Sequence, residues 1–215
     1  QSSMSNMFLQ NSQGLYPDEL NPFSDYLAFQ TYLTDTVNSE NYYETWVNSN
    51  GQNQSMIIYE NGYINEVDFA IAGSYKDFLC FGMSIGVTEI QYNQISSYKE
   101  DNFDPVSLNS SDPNFIPHMV ENFEYNQDLD VSGEGINFKF GLFAKPTSFF
   151  RIGWAYHSKT HTSLSEIYET SLKTSFLNDN RFEAFSPTNF FNYELSTPAK
   201  SITSLALIKS FNKLN

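Results

Sequence analysis

Leu79-Cys80-Phe81-Gly82-Met83-Ser84-Ile85-Gly86-Val87-Thr88 alternates without a break. In an extended chain Leu79, Phe81, Met83, Ile85 and Val87 share one face, and Cys80, Gly82, Ser84, Gly86 and Thr88 share the other. Side chains of a strand point alternately to opposite faces, so this stretch predicts a strand with one large apolar face and one small face. Upstream, Val67, Phe69, Ile71 and Tyr75 oppose Asp68, Ala70, Ala72 and Ser74 in the same way. The short connection Ser74-Tyr75-Lys76-Asp77 makes the two segments a hairpin. Downstream, Ile136, Phe138, Phe140 and Leu142 oppose Gly135, Asn137, Lys139 and Gly141. After the turn Lys145-Pro146-Thr147-Ser148, Phe150, Ile152, Trp154 and Tyr156 oppose Arg151, Gly153, Ala155 and His157.

The flanking sequence reads differently. Residues 1–62 are rich in Asn, Gln, Ser and Tyr and form a loop region. One helix is expected there at about 22–34, with Asn21 as cap, Pro22 in the first turn, and Phe23, Tyr26, Leu27 and Leu33 at helical spacing. Residues 99–120 carry Pro105, Pro113 and Pro117 and predict a long loop. Residues 160–190 are polar and expected to be irregular, with a possible strand at 164–176. A last strand is expected from about 192 to 209, interrupted at Thr197-Pro198, so that residues 63–215 form the strand-bearing part.

Composition narrows the class. The chain has 215 residues and a formal net charge of −14, with 17% aromatic and only 17% charged residues. Charged residues usually make up about 25% of a soluble protein. Twenty Phe and 14 Tyr exclude compositional disorder, and the acidic balance excludes a nucleic-acid partner. Cys80 alone cannot form an intrachain disulfide or a cysteine zinc cluster. No apolar run reaches about 18 residues, so no transmembrane helix is expected. Gln1-Ser2-Ser3-Met4 shows no signal-peptide pattern.

A wet face of a soluble sheet is usually charged or Thr-rich. Here the second face is Gly, Ala and small polar groups, which suits a barrel with apolar side chains toward lipid and small or polar ones toward the lumen. Short turns alternating with long loops fit the same layout, as do aromatics at segment ends such as Tyr75, Phe78, Phe149 and Phe150. The expected fold is all-β, an antiparallel up-and-down transmembrane barrel portion of about five or six strands. Long extracellular loops join the strands, and one contains the short helix.

Several of these segments also resemble a known family. Gly133-Glu134-Gly135-Ile136-Asn137-Phe138-Lys139-Phe140-Gly141, the Lys145-Pro146 turn, and Phe150-Arg151-Ile152-Gly153-Trp154-Ala155-Tyr156-His157-Ser158-Lys159-Thr160 resemble a joined strand pair of the FadL/TodX outer-membrane transport family. Tyr193-Glu194-Leu195-Ser196-Thr197-Pro198 resembles its next strand, and Ile64-Asn65-Glu66 with the Phe69–Val87 hairpin resembles the pair before. The sequence departs at Lys159, where the family usually has Pro. Asn21-Pro22-Phe23 does not fit the Asn-Pro-Ala motif of the family's N-terminal hatch. The resemblance implies an internal fragment of a barrel, beginning in an extracellular loop and ending at a periplasmic turn. The remainder of that barrel and outer-membrane lipid would be its partners.

That family takes up small hydrophobic compounds, such as long-chain fatty acids or aromatic hydrocarbons, across the bacterial outer membrane. The resemblance implies an apolar capture surface in the loops, for which Phe23, Tyr26, Leu27, Phe29 and Leu33 are the candidates, with Phe190 and Phe191 as additions. Lys139, Arg151 and His157 are lumen candidates: the cations for a carboxylate head group, or for pairing with Asp or Glu inside the barrel. His157 and His161 lack a third ligand, so no metal is expected. No cofactor or catalytic constellation is present in the sequence, and the chain reads as a non-enzyme. Two alternatives stay open: a non-transporting barrel scaffold acting in protein secretion or anchoring, and a soluble β-rich binding module.

Overall fold

The computed structural model describes residues 3–37, 41–45, 47, 52–101, 120–177 and 179–208. Its helices are α1 (Met4–Ser12) and α2 (Asp25–Gln30), with a 3-10 turn at Pro17–Glu19. Strands β1 (Thr34–Thr36) and β2 (Tyr43–Thr45) form a small antiparallel pair. The remaining strands are β3 (Asn53–Tyr75), β4 (Leu79–Asp101), β5 (Val120–Ala144), β6 (Phe150–His157), β7 (His161–Phe176), β8 (Arg181–Phe185), β9 (Asn189–Ser196) and β10 (Lys200–Leu207). They belong to one sheet, so the fold is all-β.

The sheet is an up-and-down meander. β4 lies between β3 and β5, while β5 pairs with both β6 and β7. β10 pairs with β6, and β8 and β9 pair with β7. The eight strands thus make five successive courses, two of them interrupted. Among the described residues β3 and β10 each have a single partner, so the sheet is open at both.

The strands are longer than the apolar alternation alone predicts. β3 starts ten residues before the expected boundary at 63 and takes in Met56-Ile57-Ile58-Tyr59, a run of strand-favouring residues without alternation. The stretch expected to be irregular, 160–190, is mostly strand. β7 alternates Thr162, Leu164, Thr170, Leu172 and Thr174 with Ser163, Ser165, Ser171 and Lys173, a Ser/Thr version of the same period. Thr fits a strand because its branched Cβ packs well on a pleated surface. The loop expected at 99–120 lies, over residues 102–119, outside the described residues.

The β3–β4 connection is a two-residue turn. Lys76 and Asp77 both have positive φ, 49° and 51°, and the Phe78 amide donates to the Tyr75 carbonyl at 3.0 Å. This is type I′ geometry, whose twist matches that of the flanking strands.

By contacts the chain divides into two compact units. Unit 1 is Gln1–Asn61, Asn93–Asp130 and Ile167–Phe190; unit 2 is Gly62–Tyr92, Val131–Glu166 and Phe191–Asn215. In unit 1 the helices cover one face of the strands. Phe8, Leu27, Ala28, Leu33, Phe123 and Leu172 are fully buried between the two layers. The Phe23 carbonyl accepts from Tyr125 Oη at 2.7 Å and from Thr170 Oγ1 at 2.8 Å, which ties the helical segment to β5 and β7.

The helix expected at about 22–34 is shorter. Asn21 Oδ1 accepts from the Phe23 amide at 2.9 Å, which caps a turn and not the helix. At the other end Tyr32, with φ of 57°, breaks the helical path. α1 has no strong apolar periodicity; it is held at its start by Glu100, which is fully buried. That carboxylate accepts from Ser3 Oγ at 2.5 Å, the Met4 amide at 2.7 Å, Tyr98 Oη at 2.5 Å and Gln54 Nε2 at 3.3 Å. A carboxylate at a helix N-terminus satisfies amides that have no partner inside the helix and meets the positive end of its dipole.

Candidate functional site in unit 2

Unit 2 has the two faces that the alternation implies. The large face carries Val67, Phe69 and Ile71 on β3, Phe81 to Val87 on β4, Ile136 and Phe138 on β5, and Ile152, Trp154 and Tyr156 on β6. All of these side chains are exposed. The register carries the face onto β10, where Leu205 lies opposite Ile152 and Leu207 opposite Phe150. Phe140 and Trp154 meet edge to face, with centroids 6.1 Å apart.

The small face holds the candidate site. Ala72 on β3, Gly82 on β4, Gly141 on β5, Gly153 and Ala155 on β6, and Ile202 and Ser204 on β10 line a hollow of about 430 Å³. A neighbouring hollow of about 310 Å³ shares Ala72, Gly82, Gly141 and Ala155, and adds Ala70, Ser84, Lys139 and His157. Small side chains on five adjacent strands create the space, and its lining is mainly apolar.

One end of this face is polar. Lys139 Nζ contacts Glu66 Oε1 and both carboxylate oxygens of Asp68, the latter at 3.1 Å each. Asn137 Nδ2 donates to Glu66 Oε2 at 2.8 Å, and Ser84 and Thr88 donate to Asp68 and Glu66 at 3.4 Å. Glu66 and Asp68 are on β3, Lys139 and Asn137 on β5, and β4 lies between. The bridge passes over Gly86, where an added Cβ would stand 2.8 Å from Asn137 Oδ1 and 3.0 Å from Glu66 Oε1. Two carboxylates against one ammonium leave the cluster with a net negative charge.

The sequence candidates divide between the units. Lys139 and His157 lie opposite each other in the β5–β6 register and both border the smaller hollow. Arg151 shares their face, opposite Ala206, but lines neither hollow. Phe23, Tyr26, Leu27, Phe29 and Leu33 belong to unit 1. Leu27 and Leu33 are fully buried there, while Phe23, Tyr26 and Phe29 are half-buried. Phe23 packs on Tyr168 at 5.7 Å and Phe29 on Tyr43 at 6.0 Å. Phe190 and Phe191 are exposed.

Sequence reasoning did not nominate Glu66, Asp68 or Asn137. The available signal was parity: Asp68 and Lys139 both sit on the small face of their strands, and a cation there needs an acid. Among the described residues, no group of three His, Cys, Asp or Glu side chains could hold a metal ion. No protein-family model and no curated protein matches the chain.

Proposed function

We propose that this chain forms part of the wall of an outer-membrane β-barrel that admits small, uncharged apolar compounds. The observation that carries the reading is the large face of unit 2. Phe69 is 71% exposed and Leu207 79%, and the apolar residues form a continuous band over neighbouring strands. Proteins that remain monomeric in water rarely expose apolar patches beyond a few hundred Å². A tilted strand crosses the hydrocarbon core in about 9–11 residues, and the apolar stretches Leu79–Val87 and Ile136–Ala144 have that length. Tyr75, Phe78 and Phe149 stand at the turn end of the band, where interfacial aromatics are favoured. At its other end the face changes to Glu89 and Glu134.

The small face supports the choice of compound. Its hollow offers apolar walls and little to hydrogen-bond with, so a neutral hydrocarbon loses no polar partner on entering. A carboxylate-bearing chain would meet Glu66 and Asp68, and the ammonium of Lys139 is already paired with them. The test is binding of toluene to the full chain folded in detergent, read by saturation-transfer NMR. Toluene binding that is lost in Ala155→Leu, which fills the hollow, supports the proposal. Palmitate bound in preference to toluene, or toluene binding unchanged in Ala155→Leu, contradicts it.

A further inference from the structure

Unit 1 has a cavity of its own, on the face of its strands opposite the helices. Parity fixes the side. Phe123, Tyr125, Leu172 and Ala184 point into the core beneath the helical segment. Their sequence neighbours Asn126, Ser171 and Phe185 therefore point away from it. A groove of about 330 Å³ lies there, crossing β4, β5, β7 and β8.

The lining is mixed in an ordered way. Ile95 on β4 forms one wall, and Phe185 on β8, 69% exposed, forms the other. Between them lie Asn126 and Asp128 on β5 and Glu169 and Ser171 on β7. Ser171 stands directly opposite Phe185 in the β7–β8 register, so a short side chain leaves the aromatic ring uncovered. Glu169 is held in place by a hydrogen bond from Thr188 Oγ1.

We propose that this groove binds a neutral saccharide. Among the described residues no cation lines it, and two carboxylates repel anions, which removes phosphates and acidic sugars from consideration. A purely apolar ligand would strip water from Asn126, Asp128 and Ser171 without replacing their hydrogen bonds. A pyranose ring meets both demands. Its C–H face packs on an aromatic ring, and its hydroxyls both donate and accept, matching carboxylate, amide and hydroxyl partners. The volume lies at the low end of ligand sites, enough for one or two sugar rings. This site is independent of the reading of unit 2.

The test uses the full chain in a detergent without a sugar head group. The probes are methyl β-glucoside, methyl β-galactoside and N,N′-diacetylchitobiose, followed by saturation-transfer NMR and titration. Binding of at least one probe is expected, weakened tenfold or more in Phe185→Ala and in Ser171→Leu. A far-UV circular dichroism spectrum and a thermal unfolding midpoint in detergent unchanged from wild type show that these variants remain folded. Absence of binding by all three probes overturns the proposal. So does binding that both variants leave intact, or a hexalysine peptide that displaces the saccharide and binds more tightly at the same groove.

Discussion

Lys139 on β5 reaches across β4 to Glu66 on β3, and the crossing is open because residue 86 is glycine. A side chain there would occupy the space taken by Asn137 Oδ1 and the Glu66 carboxylate. One bare position on the middle strand therefore lets three strands share a single polar cluster.

Gly86→Ala should displace Asn137 and break its 2.8 Å bond to Glu66. The expected loss is about 1 kcal/mol, the cost of removing a partly buried hydrogen bond with its partner left in place. Lys139→Met should cost about 1 kcal/mol, since the ion pair is partly exposed and solvent weakens it. A double-mutant cycle of Lys139→Met with Glu66→Gln, followed by denaturant unfolding in micelles, measures the coupling. Strictly additive effects would show that the bridge is not energetically real.

Glu100→Gln should loosen α1. The neutral amide keeps the shape but gives up charge-assisted bonds from the Met4 amide, Ser3 and Tyr98. A loss of about 1–3 kcal/mol is expected, confined to unit 1. Hydrogen exchange at the amides of residues 6–10 should accelerate, while the β4 amides of residues 80–87 keep their protection.

Asp25 gives a pH signature. Burial pushes its carboxyl above the usual range, with hydrogen bonds from Asn11 and Ser24 opposing in part. The folded state thus holds this proton more firmly than the unfolded chain does. Its contribution to stability is complete below the ordinary aspartate value, near pH 4. That contribution is lost as pH rises through the folded-state value. Asp25→Asn should therefore gain stability relative to wild type between pH 3 and pH 7, measured by chemical unfolding at both. A gap that stays constant with pH would contradict the assignment.

The type I′ turn offers a stabilising change. Asp77 holds a left-handed conformation that glycine adopts without strain. Asp77→Gly should raise stability by about 1 kcal/mol, less the extra freedom glycine gives the unfolded chain. Thermal unfolding in micelles checks it, and a lowered midpoint would argue against this turn geometry.

The strands of unit 2 were legible because a period of two, read from Leu79 to Thr88, needs no tertiary information. Large and small residues alternate so strictly there that the face assignments of Phe81, Ile136 and Trp154 follow from parity alone. The polar halves of the same strands were harder. β7 keeps the period with Ser and Thr, whose hydropathy differs too little for alternation to stand out. α1 was hard to read because it has no strong apolar stripe, and its start is held not only by the Ser3 cap but by Glu100, 96 residues from Met4 in sequence. The Lys139 cluster was half legible. Parity placed Lys139 and Asp68 on the small face, but reach across an intervening strand depends on Gly86 and on register.

The central claim is that the large face of unit 2 meets lipid, and Trp154 reports on it. This indole lies in the apolar band, 40% exposed and stacked beside Tyr156. Trp46→Phe leaves Trp154 as the sole tryptophan. In vesicles of brominated phosphatidylcholine its fluorescence should be quenched by more than half, while aqueous iodide has little effect. Strong iodide quenching with no response to brominated lipid would place this face in water or against protein, and the membrane account would fall.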